Sequence, residues 1–264
     1  MKPLHEFPFA ARRAVRGVLC DIDDTLTTDG RLTAAAYAAM EKLQQADLRV
    51  VPITGRPAGW CDHIARMWPV DGVVGENGAF YFRYDHAARN MLRRYALSAT
   101  QRAADRVRLA AIRDRIVEQV PGCAVASDQN YRDADLAIDY CEDVARLPQN
   151  AVDKIVMLMR ERGLTAKISS IHVNGWFGDY DKLTMTRTMM RECFGIDLDG
   201  EREAWAFVGD SPNDAPMFEY FPYAIGVANI RDFDGQLPRA PAYVTEKRCG
   251  DGFREVADFL LAAR

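Results

Sequence analysis

The chain has no apolar run approaching the ~20 residues that span a bilayer, which excludes a membrane-spanning helix. It also has no C-x-x-C pair and no Cys/His cluster: Cys20, Cys61, Cys123, Cys141, Cys193 and Cys249 lie scattered along it. Neither a disulfide framework nor a zinc site is suggested, and the pattern reads as reduced thiols in a cytoplasmic protein. No secretory apolar segment opens the chain, since Arg12, Arg13 and Arg16 interrupt the first stretch. A basic excess is missing too. The 34 Lys+Arg stand against 38 Asp+Glu, a net charge of −4, which excludes the strongly basic chain of a dedicated nucleic-acid coat. Internal repeats and low-complexity linkers are absent. The remaining composition is globular, with 48% hydrophobic and 27% charged residues. At roughly 150 residues per domain, the length of 264 suits two domains, or one large domain with an insertion.

The first apolar run, Gly17-Val-Leu-Cys20, ends abruptly in Asp21-Ile-Asp-Asp-Thr-Leu-Thr27, as a buried strand does. Thr33 then stands as N-cap of an Ala-rich helix with Leu32, Ala36, Met40 and Leu43 down one side. Arg49–Ile53 is a second strand, closed by Thr54-Gly55-Arg56, and Pro57 suits the first turn of the next helix. Gly72–Val74 and Ala79–Phe82 read as further strands around the loop Gly75–Gly78. Strand–helix–strand at this spacing predicts a parallel sheet with helices on its faces.

From Arg83 the pattern changes. Helices are predicted over 98–120 and from Asn150 to Arg162, and strands over Asp135–Asp139 and Thr165–Val173. These make an α+β insert. The α/β pattern resumes at Lys182, with the strand Ala206–Val208 running into Gly209-Asp-Ser-Pro-Asn-Asp214. The predicted architecture is a Rossmann-like, doubly wound, mainly parallel α/β core over 1–82 and 175–264, with an α+β cap over 83–174.

Ligands of an open parallel sheet bind beyond the carboxyl ends of its strands. Asp21, Asp23, Thr54, Asp210 and Asp214 therefore converge, although nearly 200 residues separate the first from the last. Each Asp alone could be a helix cap. Four acids in one crevice instead need a cation, and an all-oxygen set suits hard Mg²⁺. Such a site fits phosphoryl transfer. A carboxylate attacks phosphorus to give an aspartyl-phosphate, dividing one displacement into two. Lys182 and the hydroxyl and backbone N–H of Thr54, with the adjoining Gly55, would hold phosphoryl oxygens. Asp23 would protonate the leaving alcohol and later deprotonate the attacking water, a role favoured by neighbouring carboxylates that raise its proton affinity.

Asp21-Ile-Asp-Asp-Thr-Leu-Thr27, Ile53-Thr-Gly-Arg56, Lys182 and Gly209-Asp-Ser-Pro-Asn-Asp214 together resemble the four motifs of the haloacid dehalogenase (HAD) superfamily, in order and at suitable spacing. The insert between the second and third motifs resembles the large-capped, type IIB subgroup of sucrose-phosphate, mannosyl-3-phosphoglycerate and Cof-type phosphatases. Glu76-Asn-Gly-Ala79, Pro216-Met-Phe218 and Gly226-Val-Ala-Asn229 fit the same pattern. The resemblance implies Asp21 as nucleophile and Mg²⁺ ligand, and Asp23 as acid/base that binds the metal through its backbone carbonyl. It further implies Asp210 as a direct ligand, Asp214 as a ligand directly or through water, and Asn213 as an orienting group. The superfamily's dehalogenases lack the second Asp of the first motif, and its ATPases carry Lys where this chain has Ile22, so neither activity is expected.

Other assignments are more open. His172 and Asn174 alternate on one strand and reach from the insert toward substrate, or else the segment is a hinge plugged by Trp176 and Phe177. Asn77, between glycines, contacts substrate or simply takes a left-handed turn. Arg56 assists phosphate or forms a surface salt bridge. The loop Ser127–Arg132 supplies sugar-hydroxyl contacts or is a solvated turn. The charges over Arg102–Arg115 read as a solvated helix face. The expected activity is Mg²⁺-dependent hydrolysis of a small phosphorylated metabolite, a sugar phosphate, with no nucleic-acid or membrane partner and the oligomeric state open. The rivals are a sugar phosphomutase and a non-catalytic phosphosugar-binding sensor.

Overall fold

The computed structural model describes residues 1–264. Six parallel strands form the central sheet, in the order Lys2–Pro3, Tyr243–Val244, Tyr223–Gly226, Trp205–Gly209, Gly17–Cys20 and Arg49–Pro52. Side chains alternate between its faces, as the two-residue strand period requires. Val18, Cys20, Ala206 and Val208 join one hydrophobic cluster, while Leu19, Trp205 and Phe207 join the other. Ala34–Gln45 and Cys249–Leu261 cover the first face, and Lys182–Phe194 and Ala215–Tyr220 the second. The mainly parallel, doubly wound α/β core is thus as the sequence predicts. Thr33 caps its helix, its hydroxyl accepting from Ala36 N–H at 3.2 Å. All six cysteines are free thiols, and no helix is long and apolar enough to cross a membrane.

The strand predicted over Ala79–Phe82 is longer than its apolar stretch. It runs from Phe80 to Asp85, pairing on one side with Val73–Gly75 and on the other, as a hairpin, with Asn90–Tyr95. A parallel bridge from Ile53 to Val74 ties this small sheet to the central one. Residues 83–95, which the change of pattern assigns to the insert, therefore belong to a hairpin rooted on the core side. The second limb is mostly exposed, so no apolar alternation marks it.

Beyond Leu97 lies a separate antiparallel sheet, ordered Thr165–Ile168, His172–Trp176, Asp135–Asp139 and Ala124–Val125. Helices Ala99–Gln119 and Gln149–Glu161 cover it, and Ile116, Ile138, Ile155 and Met159 form its own core. The single strand expected over Thr165–Val173 is a tight hairpin instead. Its turn is nucleated by Ser169, whose hydroxyl accepts from His172 N–H at 3.0 Å. The adjacent rings Trp176 and Phe177 divide between the two units, Trp176 in a core-side cluster and Phe177 in that of the second sheet.

Buried charge seats the two units on each other. Glu76, fully buried, accepts from the N–H groups of Ala58 (2.9 Å), Asp133 (2.9 Å), Ala134 (2.7 Å) and Asp135 (3.2 Å). Four donors on two oxygens require the ionised carboxylate. From the other side Arg132 donates to the Gly55 carbonyl at 2.9 Å while paired with Asp128 and Asp135.

Two stability changes follow. Glu76→Gln places an NH₂ against backbone donors and should cost about 2–4 kcal/mol, read as a lower urea midpoint. At Gly78 the backbone is left-handed (φ +104°), and an added Cβ would run into the Asp181 carbonyl and the Lys182 amide. Gly78→Ala should therefore cost roughly 2–4 kcal/mol and displace the helix start that carries Lys182, which a thermal melt and a phosphate-release assay would both register.

Candidate active site

Each polar group of the site leaves the end of a buried element. Asp21 follows the strand Gly17–Cys20, Asp210 and Asp214 follow Trp205–Gly209, and Lys182 opens the helix Lys182–Phe194. The Lys182 ammonium lies 3.2 Å from Asp21 Oδ2 and 2.9 Å from Asp214 Oδ1. Asp214 also accepts the Asp210 N–H at 3.2 Å, and the Thr25 hydroxyl donates to Asp210 Oδ1 at 3.1 Å. Gly209 is required here because a Cβ would collide with the Asp214 carboxylate.

Burial pushes Asp21 up to about 7, against the pull of Lys182, and Asp214 and Asp23 add to the rise. Burial, then Asp21 and Asp214, hold Asp210 well above the usual carboxylate range. Burial alone would lower Lys182, but Asp21 and Asp214 outweigh it and keep the ammonium charged. One fixed cation thus faces three buried acids, Asp21, Asp210 and Asp214, whose oxygens lie within 4.8 Å of one another. Such an all-oxygen, under-neutralised set is what a hard divalent cation fits.

Thr54 is fully buried, and its backbone N–H, expected to meet phosphate, donates instead to the Val74 carbonyl at 2.9 Å. Pairing of the small sheet with the core consumes that donor. The Thr54 hydroxyl oxygen accepts from Arg56 N–H at 3.0 Å, leaving its hydrogen available. The Gly55 N–H makes no hydrogen bond within the chain, and Gly55 lines the cleft.

Arg56 is not a surface residue. It is 4% exposed, and its guanidinium grips Asp23 through Nε (2.9 and 3.1 Å) and Nη2 (2.8 Å). It reaches across to Glu142 of the second unit at 2.8 Å. Although burial would raise Glu142, His172 and Arg56 hold it down at about 2. Lone motif arithmetic could not find Glu142, because its partner Arg56 lies 86 residues away.

His172 and Asn174 line the same small cleft, on the same strand face, together with Asp21, Asp23, Arg132 and the Ser169–Ile171 turn. His172 Nε2 sits 2.8 Å from Glu142 Oε2, out of line for a hydrogen bond, and Asn174 Nδ2 donates to Asp135 at 2.9 Å. Asn77 does not line the cleft. It takes the left-handed conformation (φ 54°, ψ 28°), its N–H donates to the Thr54 carbonyl at 3.0 Å, and its buried amide nitrogen lies unpartnered against Gly55. The loop 127–132 is not a simple solvated turn, since Asp128 and Arg132 are buried in the ionic seam. Ser169, Ser170 and Ser211 are cleft residues that the sequence did not single out.

Residues 18–111 match the family of haloacid dehalogenase-like hydrolases. "Phosphoglycolate phosphatase 1" of Saccharolobus solfataricus is 25% identical over 251 residues, covering 94% of this chain and 96% of its own. The crystal structure of Thermoplasma acidophilum 0175 superposes with a TM-score of 0.70 at 18% identity, covering 94% of this chain and 98% of that one. The sucrose-phosphatase from Synechocystis, solved with sucrose and phosphate, gives 0.61 at 15% identity over 93% and 98%. The parallel α/β fold is common to these structural matches, and the chain is similar over residues 18–111 to haloacid dehalogenase-like hydrolases and along most of its length to a relative named as a phosphatase.

Proposed function

We propose that this enzyme is a Mg²⁺-dependent phosphatase of a small sugar phosphate, working through an aspartyl-phosphate on Asp21. The observation that carries the reading is Lys182, bound at once to Asp21 and Asp214 inside a buried acidic cluster. Asp21, Asp210, Asp214 and the backbone carbonyl of Asp23 would hold the cation, which when bound offsets the repulsion between the carboxylate and the phosphoryl group.

Lys182, the Thr54 hydroxyl and the free Gly55 N–H are the donors for phosphoryl oxygens. An Asp21 oxygen bonds to phosphorus as the P–O ester bond breaks, and Asp23 gives its proton to the departing oxygen. Asp23 then takes a proton from water, whose oxygen attacks phosphorus and releases Asp21 and inorganic phosphate. The second unit, placed over 83–174 from the sequence and beginning past Leu97 by sheet pairing, serves as cap. Its His172, Asn174 and Ser169–Ile171 turn line the cleft with Asp21 and Asp23 and would exclude water from the phosphoryl group. Asn77 is best read as holding the Gly55 loop in shape rather than touching substrate.

A second reading is favoured by the names of four relatives and by the polar lining of the cleft: the phosphate ester of a small hydroxy acid such as phosphoglycolate, its carboxylate facing Arg132 and the serines.

Asp21→Asn should lower phosphate release by roughly 10³-fold or more while circular dichroism and the thermal midpoint stay near wild type; retained turnover would remove the covalent mechanism. Treatment with EDTA should silence the enzyme and Mg²⁺ restore it, whereas full activity in chelator would overturn the metal assignment.

A further inference from the structure

Next to the polar cleft lies a second cavity of about 440 Å³, walled by three aromatic residues from two segments, one in each unit. Trp60 comes from the helix Ala58–Met67, Trp68 from its end, and Tyr131 from the second unit. Trp60 and Tyr131, lining one cavity, are 42% and 59% exposed, an apolar surface left open to a ligand. Their approach is built in: Tyr131 packs on Gly59, where a Cβ would come within 3.0 Å of the tyrosine's own. The Arg56 guanidinium stands 4.5 Å from the Trp60 ring centroid. Asp23 and Arg56 line both the cleft and this cavity, so the two spaces meet at the carboxyl assigned to the leaving oxygen.

The carbon skeleton on that oxygen must lie beyond Asp23. The polar cleft leaves about 10 Å³ free, no more than about one water needs, and cannot take a ring. The aromatic cavity can. We propose that it is the leaving-group subsite and that it selects a pyranose-sized sugar ring, an inference that rests on the phosphatase reading above. A sugar ring offers an apolar C–H face to Trp60 and Tyr131, while its hydroxyls meet His63, Thr27 and Asp23 at the polar rim. A two-carbon acid would leave those rings in water. Because Tyr131 comes from the second unit, the subsite is complete only when that unit is seated on the core.

The test compares a hexose 6-phosphate with phosphoglycolate on wild type, Trp60→Ala and Trp60→Phe. Phosphate release gives kcat/KM for each substrate, and calorimetry gives hexose 6-phosphate binding to the same three forms in the Asp21→Asn background. Trp60→Ala should lower the ratio of hexose-phosphate to phosphoglycolate kcat/KM at least fivefold, mainly through KM, and weaken hexose-phosphate binding about tenfold, with Trp60→Phe restoring most of both. An unchanged ratio, equal loss on both substrates, or no hexose-phosphate binding to the Asp21→Asn protein would overturn the subsite. Phosphoglycolate turnover without hexose-phosphate turnover would also overturn it, while leaving the phosphatase reading standing. Undiminished turnover by Asp21→Asn would instead remove that reading itself.

Discussion

One ion pair organises the site: the Lys182 ammonium between Asp21 and Asp214. Without a cation at that point, the carboxyl ends of two neighbouring strands would bring acids together inside a nearly dry interior, at a cost of several kcal/mol per charge. The lysine can stand there because Gly78 lets the start of its helix approach the loop after Val73–Gly75. Its charge lowers the repulsion but does not cancel it. The residual negative charge is what makes the crevice receptive to a divalent cation and hence, in the proposed mechanism, to phosphate.

A second layer of charge connects this centre to the insert. Arg56 joins Asp23 to Glu142, Arg132 joins Gly55 to Asp128 and Asp135, and Glu76 binds three consecutive amides of the insert. Arg56 follows Gly55 in the phosphate loop and grips Asp23, and Arg132 holds the Gly55 carbonyl from across the seam. Docking of the insert and the shape of the phosphate loop are therefore set by shared hydrogen bonds. Removing one partner leaves another buried charge exposed to no solvent, so the seam behaves as a unit.

The core was legible because its strands are short apolar runs that stop at acids, and Gly17–Cys20 followed by Asp21 is the clearest. The acidic cluster was legible for the same reason, since the sheet rule alone brings Asp21, Asp210 and Asp214 together. What escaped was non-local or polar. The exposed limb Asn90–Tyr95 carries no alternation, and the turn at Ser169–Ile171 is hidden inside a run that reads as one strand. Thr54 N–H was assigned to phosphate because nothing in the sequence shows that Val74 will claim it. Arg56 stayed open between a phosphate contact and a surface salt bridge because its partners Glu142 and Asp128 lie in another unit.

The order of the central sheet has a consequence for biosynthesis. Gly17–Cys20 lies between Arg49–Pro52 and Trp205–Gly209, and Lys2–Pro3 pairs with Tyr243–Val244. The first strands made must wait for nearly the last ones, while the insert's strand pairings span only its own stretch of chain. Local pairings close sooner than distant ones, because each distant closure gives up more chain entropy before it gains contacts. On the ribosome the insert can thus complete its sheet while the strand leading to Asp21 still has an open edge. Shielding of that edge falls to whatever receives the nascent chain until the segment through Val244 has emerged.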